Sequence, residues 1–179
     1  YKYQVNGYMG KKTNRISWET LQKFNEDVFA LTACSNGLIA KYLITEQDEN
    51  TAVNHMMKLK SIFNDRFYLE LQPHKLFDIS KRTGKEVNQP KLNEQLVKFS
   101  RDLDIPYVIT CDSHYKDKAA AKAHDMLIAI RDHESYYSED RFRYGVEDMY
   151  LKHHNEIEDF FGSEIASIGM QNSLNIANA

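Results

Sequence analysis

Apolar positions along the chain alternate between two periods. Residues 28–34, 66–72 and 105–110 are apolar runs of strand length, and each leads through a polar turn into a stretch with apolar residues every three or four positions. Residues 28–34 form a continuous run, which predicts a parallel strand buried on both faces, ending at Cys34 before the turn cluster Ser35-Asn36-Gly37. In residues 66–72, Phe67, Leu69 and Leu71 alternate with Tyr68, Glu70 and Gln72, which predicts a strand with two unlike faces. Residues 105–110 are largely β-branched or aromatic, and Pro106 stands where a strand starts without losing a ladder bond.

The helical stretches are as regular. Ser17 precedes a short amphipathic helix bearing Trp18, Leu21 and Phe24. Another helix is expected over 38–44. A longer one, over 48–63, has an apolar stripe of Ala52, Met56, Leu59 and Phe63, widened by Val53, Met57 and Ile62, with His55, Lys58 and Lys60 outward. Pro90 opens a helix to about Asp102 with Leu92, Leu96, Phe99 and Leu103 on one side. Residues 119–130 form a further helix. Asn155 is expected to cap a helix reaching Phe161, and Ser163 to cap one that runs through Ile165, Ile168, Leu174 and Ile176. Residues 1–15 read as a loop or broken element, 75–87 as a long irregular connection suited to function, 132–145 as a charged aromatic loop, and 149–151 as a short strand. Strand followed by helix, three times over, predicts an α/β fold: part of a barrel or of a doubly wound sheet.

Composition narrows the class. The chain has 179 residues, 42% hydrophobic and 27% charged, in the range of globular proteins. No apolar run approaches the roughly 18–20 residues of a membrane span. A net charge of -3 supplies no global attraction for nucleic acid. Two cysteines, Cys34 and Cys111, do not make a disulfide framework, so a reducing, cytoplasmic setting is expected. The first residue is Tyr1 rather than Met, so the expectation is a chain that does not begin at a natural start.

Candidate chemistry sits at the ends of the predicted strands. Asp112 and His114 are two apart, so an extended chain would send both side chains to one face, and a carboxylate beside an imidazole suits a divalent metal. The competing reading makes Asp112 a turn cap and His114 a surface residue. Cys34 ends its strand in the same way; a thiolate there is a metal ligand, whereas spacing alone favours a small buried hydrophobe. Glu70 and His74 are polar groups near the end of the second strand, and a loop histidine is by default solvated. His124 and Asp125 are expected to be core or solvent residues. The chain has no Gly-rich phosphate loop, no Cys-x-x-Cys pair and no internal repeat.

Several segments, in order, resemble one family. Ala30-Leu31-Thr32-Ala33-Cys34-Ser35-Asn36-Gly37 is similar to an ALS-x-C-x-x-G segment. Residues 66–74 resemble RFYLELQ-x-H, and residues 105–115 resemble IP-x-VAT-x-D-x-HY. Residues 123–130 resemble AHD-x-L-x-x-I; Tyr150-Leu151-Lys152 and Asn172-Ser173-Leu174-Asn175-Ile176-Ala177 resemble the run that leaves that domain. The family is the polymerase and histidinol phosphatase (PHP) domain of the alpha subunit of bacterial replicative DNA polymerase III.

The resemblance implies a distorted (β/α)7 barrel, its N-terminal portion absent here, with a cluster of metal ions at the carboxyl face. Of nine ligand positions in that family, the chain matches three: Cys34, Asp112 and His114. Glu70 and His74 are weaker candidates that would stand behind the ligands or face a phosphate. No His-x-His pair occurs in the sequence. Residues 1–135 would be the C-terminal part of the PHP domain, and 136–179 a segment leading toward the polymerase palm. The implied cofactors are zinc or manganese in the PHP site, with magnesium in a palm outside this chain. The implied partners are DNA through the full polymerase, other replisome subunits and a missing N-terminal PHP segment, with no membrane. Three functions follow: an active metal-dependent 3′-end exonuclease within a polymerase, a scaffold with a decayed site, or a free-standing phosphoesterase acting on a small phosphate ester.

Overall fold

The computed structural model describes residues 4–6, 12–14, 16–79 and 86–179. Most of the broken element expected over 1–15 lies outside the described residues; within it, β1 (Gln4–Asn6) and β2 (Lys12–Asn14) pair antiparallel. Ser17 caps α1 (Trp18–Lys23), its hydroxyl accepting from Thr20 N at 3.2 Å.

The centre of the molecule is a parallel sheet of β3 (Ala30–Leu31), β4 (Phe67–Leu71) and β7 (Tyr107–Ile109), in that spatial order. Ala30 pairs with Phe67 and Leu69 with Tyr107. This is an α/β architecture with a parallel sheet and flanking helices. The expected seven-residue first strand shrinks to the two residues of β3, and it is not buried on both faces: Val28 is 46% and Leu31 37% exposed. The reason is position, since β3 pairs with β4 alone and so lies at the edge of the sheet.

Between β3 and β4 the chain runs through α2 (Leu38–Ala40), which widens into a π-helical turn (Lys41–Thr45), and then α3 (Glu49–Phe63). Asp48 caps α3 by accepting from Thr51 N and Oγ1. Ala52, Met56, Ile62 and Phe63 bury against the sheet as predicted, whereas Met57 lies exposed outside the stripe. His55 is half-buried and stacks on Trp18, with ring centroids 5.7 Å apart, rather than pointing into solvent.

The connection after β4 is more ordered than its composition predicts. β5 (Phe77–Ile79) and β6 (Glu86–Asn88) form an antiparallel pair; residues 80–85, the rest of the expected functional loop, lie outside the described residues. Asn88 caps α4 (Gln89–Leu103), where Pro90 occupies the first turn and Leu92, Leu96 and Phe99 enter the core. Asp104 closes α4 in the left-handed conformation, φ 49°. From inside α4, Asn93 accepts from Gln72 N (3.1 Å) and donates to Gln72 O (2.8 Å). That pair of bonds fixes the backbone just beyond β4, where the polar residues stand.

The last helices differ from their predicted caps. α5 (Ala121–Arg131) lies where expected. α6 (His154–Phe161) is capped by His153, with Glu156 reaching back to His153 N at 2.9 Å, and not by Asn155. α7 (Ser163–Ala177) starts after Gly162 without a side-chain cap. Ile168 and Leu174, two of the apolar residues along it, are exposed; Ala166 and Gly169 are the buried positions. A Cβ on Gly169 would lie 2.6 Å from the Ile109 side chain, so glycine sets the distance of closest approach. Asn172 Nδ2 and Ser173 Oγ donate to the carbonyls of Tyr107 and Ile109, each at 2.9 Å. Helix α7 thereby satisfies carbonyls along the outer edge of β7 that would otherwise be open for pairing. Among the described residues no helix is long and apolar enough to cross a membrane.

Candidate metal centre

The chain leaves β7 at Ile109, and Thr110 N still donates to Leu71 O at 3.1 Å. Extended geometry ends two residues later: Asp112 has φ 43°, a left-handed conformation. The predicted same-face arrangement of Asp112 and His114 on a straight strand is therefore replaced by a turn. The turn still brings them together, with Asp112 Oδ1 at 4.0 Å from His114 Nδ1. His114 N donates to Met149 O at 2.9 Å, and Tyr115 forms a parallel bridge with Tyr150. That bridge is all that appears of the strand expected over 149–151.

Hydrogen bonding decides which nitrogen of His114 is free to act. Its Nδ1 lies 2.7 Å from the Asp112 carbonyl. A carbonyl only accepts, so Nδ1 carries the hydrogen and Nε2 the lone pair. Tyr144 donates its hydroxyl to that lone pair at 3.0 Å. A metal-binding imidazole usually has one ring nitrogen held by a backbone carbonyl or carboxylate and the opposite lone pair on the metal; here the Tyr144 hydroxyl occupies that lone pair. His124 packs its ring edge on His114, centroids 5.6 Å apart, and faces Tyr144 at 5.9 Å.

Cys34 reaches the same neighbourhood from the first strand. It is half-buried, and its carbonyl accepts from Gly37 N at 2.7 Å in the turn that starts α2. Burial raises the Tyr144 hydroxyl above its ordinary range; the charge of Asp112 and that of a Cys34 thiolate add to this, and Arg131 opposes it. The charges of Asp112 and Cys34 thus both bear on Tyr144, the residue that contacts His114.

Glu70 and His74 belong to a buried polar chain. Glu70 Oε1 accepts from Thr110 Oγ1 at 2.5 Å and from Gln72 Nε2 at 3.2 Å, tying β4 to the end of β7. Gln72 Oε1 faces His74 Nε2 at 3.2 Å. His74 is only 1% exposed, against the expectation of a solvated loop residue. Desolvation holds it below its ordinary value, with Asp148 and Asp112 pulling the other way.

Two residues of this region carry no mark in the sequence. Tyr144 is 30 positions from the histidine it contacts. Asp148 accepts from Lys75 N at 2.9 Å, 73 positions away. The loop that brings both in is clamped by Arg141, which donates through both terminal nitrogens to the Asp125 carboxylate and through Nε to Tyr136 O. Asp125, expected to be a core or solvent residue, is instead half of this nearly buried ion pair, and the Arg141 bond lowers its pKa.

The donor set of carboxylate, neutral imidazole and thiol fits a borderline divalent cation such as zinc. Among the described residues no three His, Cys, Asp or Glu side chains lie close enough to share one ion. Asp112 and His114 therefore fit as part of a larger ligand set.

Comparison with known proteins finds one family model and a set of similar subunits. Residues 2–74 match the PHP domain family. The chain is 31% identical over 163 residues to the DNA polymerase III subunit alpha of Borreliella burgdorferi, covering 91% of this chain and 13% of that protein. It is 29% identical over 154 residues to the subunit from Deinococcus radiodurans, covering 86% of this chain and 11% of the relative. With the Thermus aquaticus subunit it shares 30% identity over 138 residues, covering 77% of this chain and 10% of the relative. The chain thus spans roughly an eighth or less of these relatives. Residues 2–74 are thus similar to the PHP domain, and nearly the whole length of the chain is similar to DNA polymerase III alpha subunits.

Proposed function

We propose that this chain is a segment of a replicative DNA polymerase alpha subunit and contributes Asp112, His114 and Cys34 to a metal-dependent site that hydrolyses a phosphodiester at a DNA 3′ end. The observation that carries this reading is the turn after β7, which sets the Asp112 carboxylate beside an imidazole whose Nε2 lone pair faces outward from a backbone-held ring. Zinc or manganese bound there would supply Lewis-acid assistance to hydrolysis. In this reading a PHP segment N-terminal to this chain supplies the remaining ligands, and the full protein closes the (β/α)7 barrel. Residues 1–135 are then PHP domain and 136–179 lead toward a magnesium-dependent palm. DNA and other replisome subunits are the partners, in the cytoplasm.

This chain's own residues hold and orient. The Asp112 carbonyl keeps the hydrogen on His114 Nδ1, and Tyr144 donates to Nε2 until a stronger acid takes its place. The Glu70–Thr110 bond locks the two strand ends that present the ligands.

The test compares full-length protein with Asp112→Asn, assaying 3′-end digestion and primer extension on the same preparation. An amide neither balances the charge of the metal nor binds it as tightly, so digestion should fall by at least about 100-fold while extension survives. Digestion unchanged by the substitution, or absent from the metal-loaded wild type, would leave this segment as scaffold.

A further inference from the structure

We propose that the cavity beside His114, walled by Tyr115, His124, Tyr136 and Tyr144 together with Lys122 and Arg143, holds the unpaired terminal base of a DNA 3′ end. This rests on the reading that such an end meets Asp112 and His114, and it adds what holds the nucleotide there. The cavity measures about 300 Å³. Ligand sites range over about 300–1,000 Å³, so this one has room for a single flat ring system rather than a base pair.

Contacts to the histidine fix its place. Tyr144 donates to His114 Nε2 at 3.0 Å, and the His124 ring lies 5.6 Å from that of His114. Both residues also line the cavity, so one layer of side chains separates its occupant from the imidazole.

The wall is aromatic and held in position. Tyr115 packs on His124 at 5.3 Å, and His124 faces Tyr144 at 5.9 Å with 25° between the ring planes. The Tyr115 hydroxyl accepts from Met149 N at 3.0 Å, which anchors that ring. The buried Arg141 guanidinium sits 4.9 Å from the centre of the Tyr136 ring. Rings set before a ligand arrives lose little entropy on stacking. Every base has a π-face, so such a wall takes any base without reading its edge.

Charge selects the rest of the ligand. Arg143 Nη2 donates to the carbonyls of Tyr136 and Ser138, at 3.1 and 2.8 Å, which keeps its charge on the wall. Asp125 is paired with Arg141, so among the lining residues Glu147 alone opposes Lys122 and Arg143. Aromatic rings beside cations are the combination that grips single-stranded nucleic acid, whereas a neutral apolar ligand would leave the cations unmatched.

The test uses full-length protein and single-stranded oligonucleotides that end in iododeoxyuridine, irradiated in chelator so that no hydrolysis intervenes. Crosslinks should map to Tyr115, His124 or Tyr136, in wild type and in Asp112→Asn alike. Digestion is then measured with metal, on ends that carry a base and on ends whose last nucleotide is abasic. Tyr136→Leu should raise KM at least about tenfold for base-bearing ends and leave abasic ends within about twofold. Tyr136→Phe keeps the ring and should match wild type. Lys122→Met should raise KM for both kinds of end by a similar factor. Leu127→Ala, on the exposed face of α5 outside the cavity, should change neither. Crosslinks in the cavity without any digestion would leave the base site standing and remove only the hydrolytic reading. Crosslinks confined to residues outside the cavity would overturn the proposal. So would a KM in Tyr136→Leu that is unchanged, or raised equally for both kinds of end. Should Tyr136→Leu not fold, judged by circular dichroism, the wild-type crosslinks and Lys122→Met decide.

Discussion

His74 illustrates how far a residue's chemistry depends on neighbours it does not touch in sequence. Its ring is enclosed by the loop after β4 and by the segment containing Asp148 and Lys152, so the charged form is disfavoured mainly by desolvation. A histidine whose folded pKa is lowered below the ordinary 6.5 binds its proton more readily in the unfolded chain. Its contribution to stability is therefore complete above about 6.5 and lost as pH falls below that value. With a chelator present, urea midpoints measured at pH 7.5 and 5.5 should fall more for wild type than for His74→Gln. Equal pH responses in the two proteins would mean that His74 takes up a proton freely in the fold.

Among elements, the pairing of α7 with β7 depends on one missing side chain. Gly169 lets the helix approach until even a Cβ would meet Ile109 at 2.6 Å, and this approach puts Asn172 and Ser173 on the edge carbonyls. Overpacking costs typically 1–3 kcal/mol, and displacement of the helix would also strip hydrogen bonds from two carbonyls. Gly169→Val should therefore destabilise by at least about 2 kcal/mol in urea denaturation, and it should speed amide exchange in α7 more than in α3. A shift below about 0.5 kcal/mol would show that the helix can re-seat. Leu174→Ala, on the exposed side of the same helix, serves as the control.

For the whole molecule, residues 132–148 matter because they carry Tyr144 and Asp148 to the strand ends. Arg141 holds that passage through the Asp125 carboxylate and the Tyr136 carbonyl. Breaking a buried pair by removing one partner costs about 3–5 kcal/mol; Asp125 is partly exposed, so the lower end applies. Arg141→Met should destabilise by roughly 3 kcal/mol and release the Tyr144 hydroxyl from His114, read as faster exchange and a changed His114 ring signal. An unchanged His114 signal in a folded variant would mean that the loop stands without its clamp.

Local patterning was enough for the elements whose environment repeats along the chain. The apolar stripes of α3 and α4, the alternation in β4, and the cap at Ser17 follow from periods of 3.6 and 2 and from a side chain that satisfies a nearby N–H group. The strand-then-helix order predicted the parallel sheet, and the recurring segments pointed to the PHP domain. Tertiary structure decided what those periods do not encode. Whether residues 28–34 are covered depends on their place at the edge of the sheet, not on their composition. Asp112 meets His114 because the chain takes a left-handed turn, stabilised by a carbonyl-to-imidazole bond that no spacing rule anticipates. The burial of His74, the arrival of Asp148 and Tyr144, and the choice of Gly169 over Ile168 as the contact in α7 all depend on segments tens of residues apart. A sequence states which side chains are able to bind, cap or pack; which atoms are left without a partner is known only once the distant segments have met.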